Sequence, residues 1–301
     1  MSLLDSIDFS SLKEQLARLR GDRQQAPDVS IIIPVNAQGD LLAALTPVND
    51  ILKYRGSYRV EIVLVINNYP PDQPPIEIEE FRRLGMEVAA VPSARRLGEV
   101  VILSARAIGV RAAHADMTIH FDADCRIPHI TKLINWYIEK LRSGAELAYS
   151  LVDFYDYENN LSVRMGIVIH HTVRWVKRTI LGIPTTRGSN YAVKRDTFLK
   201  LYDAGKLSVD LQVGPATKLT RAKIAYSSRS ELRVLTSGRK LQSGWKSLFY
   251  YLRYRLQYNL KATPTRKHEV TRTSWDGFNQ ESKRREVLTV PTEDDRTGRE
   301  T

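Results

Sequence analysis

The run Val29-Ser30-Ile31-Ile32-Ile33-Pro34-Val35-Asn36 is almost continuously apolar, rich in β-branched residues, and ends on a proline and a polar residue. A segment like this has no polar face to offer water, so as a strand it must be covered on both sides, the condition of a parallel sheet. Glu61-Ile62-Val63-Leu64-Val65-Ile66-Asn67-Asn68 repeats the design, and Asp116-Met117-Thr118-Ile119-His120-Phe121 gives a third run that stops at Asp122-Ala123-Asp124. Helical patterns fall between them, from about Leu41 to Tyr54 and from Val100 to Ala113. Strand and helix in alternation imply a Rossmann-like α/β fold, a mainly parallel sheet with helices on both faces. Ligands of such sheets bind beyond the carboxyl ends of the strands. Those ends are Asn36, Asn67 with Asn68, and Asp122 with Asp124, so the site is placed before any chemistry is assumed.

Around this body the chain divides by composition. Residues 1–28 hold a short amphipathic helix, with Leu12, Leu16 and Leu19 at helical spacing, expected as a docking arm. The body is expected over residues 29–240, a basic amphipathic extension over 241–281, and a disordered tail over 282–301, where apolar residues are sparse. The prolines between Tyr69 and Pro75 require a loop. With 43% hydrophobic and 26% charged residues among 301, the chain has enough apolar matter for a sizeable core. The lone Cys125 can form no intrachain disulfide, acids stand where a signal peptide needs basic residues, and no long uncharged apolar stretch exists. The expected location is therefore the cytoplasm.

The net charge of +11 is concentrated. Between Arg221 and Trp275 there are thirteen Lys and Arg against Glu231 and Glu269 alone, a surplus equal to that of the whole chain. Such a field attracts phosphate groups, whether of a nucleotide, a nucleic acid or a lipid. Residues 245–260 (Trp-Lys-Ser-Leu-Phe-Tyr-Tyr-Leu-Arg-Tyr-Arg-Leu-Gln-Tyr-Asn-Leu) interleave aromatics with Lys246, Arg253 and Arg255. As a helix this segment either packs with its basic side in water or lies on anionic lipid at the inner face of a membrane. No nucleic-acid recognition pattern accompanies it, so nucleic acid is not an expected partner.

Asp122 and Asp124 stand at i and i+2 beyond a strand, and in an extended chain they project to one side, where they can share a hard cation. Mg²⁺ or Mn²⁺ fits, since these ions are commonly held by one or two carboxylates together with substrate phosphates. The same spacing also occurs in turns that cap a helix; what favours the metal here is position, level with two other polar strand ends. No Gly-x-Gly-x-x-Gly or Walker pattern is present, which disfavours dinucleotide redox chemistry and ATP hydrolysis. His170 and His171 are adjacent and point apart on a helix, as structural residues do.

With these features in order, residues 29–240 resemble the family 2 glycosyltransferases, enzymes of the GT-A nucleotide-diphospho-sugar transferase fold. The resemblance rests on the first strand, on Ala105-Arg106-Ala107-Ile108-Gly109, on Phe121-Asp122-Ala123-Asp124, and on Arg187-Gly188-Ser189-Asn190-Tyr191-Ala192-Val193-Lys194-Arg195, read as a loop before a helix. It implies an inverting transfer of sugar from a UDP- or GDP-linked donor to a hydroxyl acceptor. It implies that Pro34, Val35, Asn36 and Asn67 line the nucleobase pocket, that Asp122 meets ribose or metal, and that Asp124 ligates the metal. Gly188, Ser189 and Asn190 fall in its donor and acceptor loop, and Arg96 is a candidate for base or phosphates. Arg239 and Lys240, in Thr236-Ser237-Gly238-Arg239-Lys240, match a loop that closes over the diphosphate.

The family's catalytic base is an acid just before a helix, and Asp210 in Val209-Asp210-Leu211-Gln212-Val213-Gly214 holds that place. Its alternative role is to cap a helix from Leu211 to Arg221. Four departures stand out: Asn67-Asn68 where the family has Asp, Ala107 where it has Asn, Val209 where it has Glu, and no third-ligand His near Arg239. The departures at Asn67 and Ala107 keep open a catalytically silent nucleotide-sugar or anionic-lipid binding protein. A nucleotidyltransferase of the same fold is disfavoured because no Gly-rich basic loop follows Ile33.

Overall fold

The apolar runs are strands in the computed structural model, which describes residues 9–22, 24–92 and 101–238. In chain order the strands are β1 (Val29–Asn36), β2 (Val60–Asn67), β3 (Glu87–Ala90), β4 (Met117–His120), β5 (Leu147–Ser150), β6 (Val152–Tyr155), β7 (Tyr191–Lys194), β8 (Ile224–Ser227) and β9 (Val234–Ser237). The helices are α1 (Phe9–Arg20), α2 (Leu45–Leu52), α3 (Glu77–Leu84), α4 (Val101–Ala112), α5 (Ile130–Arg142), α6 (Leu161–Thr179), α7 (Arg195–Asp203) and α8 (Val213–Leu219). Seven strands form one sheet in the order β3-β2-β1-β4-β7-β5-β8, and β6 pairs with β9 in a second. The large sheet is parallel except at β7, which runs antiparallel to both β4 and β5.

Alternation along the central strands builds two cores. Ile31, Ile33 and Val35 of β1 join Ile62, Leu64 and Ile66 of β2 in a layer under α1, α2, α3 and α5, while Ile32, Val63 and Val65 face α4, with α7 and α8 in the same layer. Burying each such side chain contributes about 1.5–3 kcal/mol, and a one-residue slip would exchange the two faces, so the register Val29↔Val60 to Asn36↔Asn67 is strongly set. Helix α4 lies very close to the sheet. A Cβ on Gly109 would come within 2.6 Å of Ile32 Cγ2 and 2.7 Å of Val65 Cγ2, so only glycine allows this approach. On α1, Leu16 and Leu19 are buried in the first of these layers.

Pro34 marks where the sheet opens. Phe121 N donates to Ile32 O, so the even-numbered residues of β1 turn toward β4, and the last β1–β4 pair is Ile32↔His120. The N–H that Pro34 lacks therefore falls beyond the ladder and costs no bond. Chain order also reverses between β1 and β4, which makes the gap between their ends the switch point of the sheet.

The observed strands beyond β4 were not expected individually, because four-residue segments carry too little alternation to stand out. The segment read as one loop over Arg187–Arg195 is a loop only to Asn190: Tyr191–Lys194 is β7, and α7 begins at Arg195. The helix expected from Leu211 to Arg221 is a 3-10 turn at Asp210–Gln212 followed by α8. Among the described residues, no helix is long and apolar enough to cross a membrane.

Candidate active site

Beyond β4 the chain turns at once, with Cys125 N donating to Asp122 O at 3.2 Å. The acidic pair is brought together by this turn, and the extended chain expected there is not formed. Ligand atoms of Asp122, Asp124 and Cys125 lie within 4.8 Å of one another. The donor set discriminates among metals. Burial first, then the Asp122 and Asp124 charges, push the Cys125 thiol well above its ordinary range, which leaves it a poorer donor than the two carboxylates. Two carboxylates remain, which suit a hard cation such as Mg²⁺ or Mn²⁺. Asp124 is further placed by β9 and β6: Thr236 Oγ1 donates to its Oδ1 at 3.4 Å and Tyr155 Oη to its carbonyl at 2.9 Å.

The centre of the site is Arg106, which sequence reading passed over as a site residue. It lies on α4 one turn before Gly109, and its side chain is fully buried. Its Nη2 meets Asp122 Oδ1, Nη1 donates to Phe121 O at 3.3 Å, and Nε stands 3.1 Å from Asp210 Oδ1. A charged residue inside the apolar face Leu103, Ala105, Ala107 and Val110 was the available signal, since a buried guanidinium requires acidic partners from elsewhere in the chain. Gly188 closes over the group. A Cβ there would sit 2.4 Å from Arg106 Nη2, 2.7 Å from Asp122 Oδ1 and 3.0 Å from Asp210 Oδ2, so position 188 admits a hydrogen and nothing larger.

Asp210 does not cap a helix. The N-cap is Val209, and it is the Gln212 side chain that accepts the hydrogen bond from Ser208 N at 2.6 Å. Asp210 is buried, its side chain 11% exposed, and the carboxylate turns to Arg106 instead. Burial raises its pKa, Arg106 pulls it back down, and Asp122 raises it again, with a net upward shift. Arg106 is held a charged cation: burial opposes this, but Asp210 and Asp122 outweigh it. Behind it His120 is fully buried, stacked 4.4 Å from Tyr191, and kept neutral by burial and then by the Arg106 charge.

The other predicted residues fall in distinct places. Pro34 and Val35 are buried in β1, with Val35 in the core, while Asn36 and Asn67 are paired across the strand ends. Asn36 Oδ1 accepts from Asn68 Nδ2 at 2.7 Å and from Gln38 N at 3.2 Å, and Asn67 is 4% exposed. Ala107 packs in the core layer of α4. Ser189 is buried, and the Asn190 side chain shapes its own loop, accepting from Arg187 N at 2.8 Å and donating to Ser150 O. The rings of His170 and His171 meet edge to face, and His171 Nε2 lies 3.3 Å from Asp153 Oδ1. Arg96, Arg239, Lys240 and the 245–260 segment lie outside the described residues.

No protein-family model matches the sequence, and no curated protein matches it. Among solved structures the chain is similar to a glucosyl-3-phosphoglycerate synthase of M. tuberculosis, at 16% identity and TM-score 0.47 over 85% of this chain and 84% of that one. A second structure of that synthase, in complex with Mn²⁺, UDP and phosphoglyceric acid, gives 15% identity and TM-score 0.49 over 86% and 84%. The mannosyltransferase PcManGT from Pyrobaculum calidifontis, in complex with GDP-Man and Mn²⁺, gives 14% and 0.49 over 94% and 83%.

Proposed function

We propose that this chain is a metal-assisted glycosyltransferase of the GT-A type, moving a sugar with inversion from a UDP- or GDP-linked donor to a hydroxyl acceptor. Residues 29–240 form the transferase body in this reading, with 1–28 as its arm. The observation that carries it is the convergence of Asp122 and Asp210 on the buried Arg106 beneath Gly188, beside Asp124, at the switch point of the sheet.

Each residue has a task set by its surroundings. Asp210, nearly enclosed and raised in pKa, takes the proton of the acceptor hydroxyl. The freed oxygen forms the new bond to the anomeric carbon as the bond from that carbon to the diphosphate breaks, leaving the electron pair on the nucleoside diphosphate. Arg106 holds Asp210 and Asp122 at fixed separation and limits how far Asp210's proton affinity rises. Asp124 and Asp122 would hold the Mg²⁺ or Mn²⁺, which when bound supplies positive charge against the departing diphosphate. In this reading the strand ends at Asn36 and Asn67, which pair in the β1–β2 register, line the nucleobase pocket.

Donor hydrolysis tests the reading. Slow release of free sugar from a UDP- or GDP-sugar in Mn²⁺, abolished in Asp124→Ala, is the expected result. If no such donor either releases sugar or raises the melting temperature, the chain is not a transferase of this kind.

A further inference from the structure

Helix α6 places Arg174 and Arg178 one turn apart on the same side, a spacing that makes them neighbours. Arg174 is 8% exposed, and its Nη2 donates to Thr185 O at 2.5 Å. Its Nε, and Nη1 of Arg178, are buried without a hydrogen-bond partner among the described residues. The guanidinium of Arg178 lies 4.0 Å from the centre of the Tyr226 ring, and that of Arg187 lies 5.6 Å from the centre of Phe154. Among the described residues, no carboxylate pairs with Arg174, Arg178 or Arg187. Asp153, on β6, is engaged by Arg233 at 2.7 Å and His171 at 3.3 Å. Burial, then the charges of Arg187 and Arg178, push the Arg174 guanidinium down to about 9, so both other cations bear on Arg174.

A guanidinium only donates, and burying its donors and charge without acceptor or counter-charge is unfavourable. Water can accept the N–H groups but brings no charge. We propose that Arg174, Arg178 and Arg187 form a binding subsite for an oxyanion, a phosphate or carboxylate group. The loop at Thr185–Gly188 gives the subsite a place in the site already described: Arg174 fixes Thr185, Gly214 N binds Thr186 Oγ1 at 3.0 Å, and Arg187 precedes the glycine that covers Asp122 and Asp210. The anion is either a group carried by the hydroxyl acceptor or free phosphate. The subsite stands on these side chains alone, and phosphate binding requires no sugar donor, so its failure and that of the transferase reading are separable.

The test is thermal melting of the full chain in inorganic phosphate against chloride at matched ionic strength. A saturable, phosphate-specific rise is expected, with at least tenfold weaker apparent affinity in Arg178→Gln and in Arg187→Gln and no change in Lys283→Gln. Arg174→Gln should behave alike; if it does not fold, the two less buried variants decide. No phosphate-specific rise, an equal rise in all variants, or loss of the rise in Lys283→Gln overturns the subsite. A second arm names the source. Displacement of phosphate by glycerol phosphate but not glycerol, strengthened by UDP or GDP with Mn²⁺, supports an acceptor-borne group; phosphate binding that glycerol phosphate does not compete with supports a free anion.

Discussion

Arg106 Nε stands 3.1 Å from Asp210 Oδ1, within ion-pair reach but out of line for a hydrogen bond. The charge of the carboxylate is thereby supported, and in the proposed mechanism that oxygen is the one that accepts a proton. Asp122, by contrast, is directly hydrogen-bonded to the same guanidinium.

Replacing Asp210 by Asn removes the proposed proton acceptor at nearly constant shape. Turnover is expected to fall about 10²–10⁴-fold with donor affinity little changed. Steady-state kinetics with separate donor-binding titrations check this; an equal loss of donor binding would assign Asp210 to the donor instead.

Because burial raises the Asp210 pKa and Arg106 lowers it, the acid limb of the rate profile should lie above the ordinary carboxylate range. Activity needs the deprotonated form, so it is lost as pH falls through that raised value. Arg106→Met removes the lowering influence and should move the limb to still higher pH. The same variant leaves two carboxylates without their cation, a loss of about 3–5 kcal/mol in stability measured by denaturant unfolding.

At position 188 a methyl group has no room. Gly188→Ala is expected to displace Arg106 or Asp122, lowering activity and costing about 1–3 kcal/mol, whereas Gly109→Ala should cost a similar amount through the α4–sheet contact and affect activity only secondarily. Comparing melting temperature with turnover for the two variants separates site from scaffold.

Asp124→Ala should abolish any Mn²⁺-dependent rise in melting temperature seen with a nucleotide sugar, since binding to the native state alone raises apparent stability. Cys125→Ser should leave that rise in place, because the two carboxylates are the ligands in this reading. A rise lost in Cys125→Ser would make the sulfur a ligand.

Asp153 gives an acid-stability prediction with a defined sign. The hydrogen bond from His171, against burial and aided by Phe154 N and Arg233, holds its carboxyl below the ordinary 3.8. On acidification the unfolded chain takes up this proton first, so stability present above 3.8 is lost as pH falls through the depressed value. Asp153→Asn should flatten that part of the stability profile in denaturant unfolding.

The sequence by itself determined the central strands and their level. A run such as Ile31–Ile33 cannot face water on either side, and the polar residues ending three such runs had to gather at one edge of the sheet. The acids at 122 and 124 were legible for the same reason, lying where the third run stops, whereas Asp210 was singled out only through the family resemblance. Tertiary structure alone decided what they meet. What the buried Arg106 meets became visible only once α4 lay against β1 and β2 through Gly109, and its pairing with Asp210 joins elements with no local signal between them. The antiparallel β7, which lays the glycine loop over both carboxylates, was likewise hidden, because four residues of strand hold too little periodicity and the direction of a strand is set by its neighbours. Patterns within one segment follow from solvent contact, but partners distant in sequence are chosen by the packing of the whole sheet.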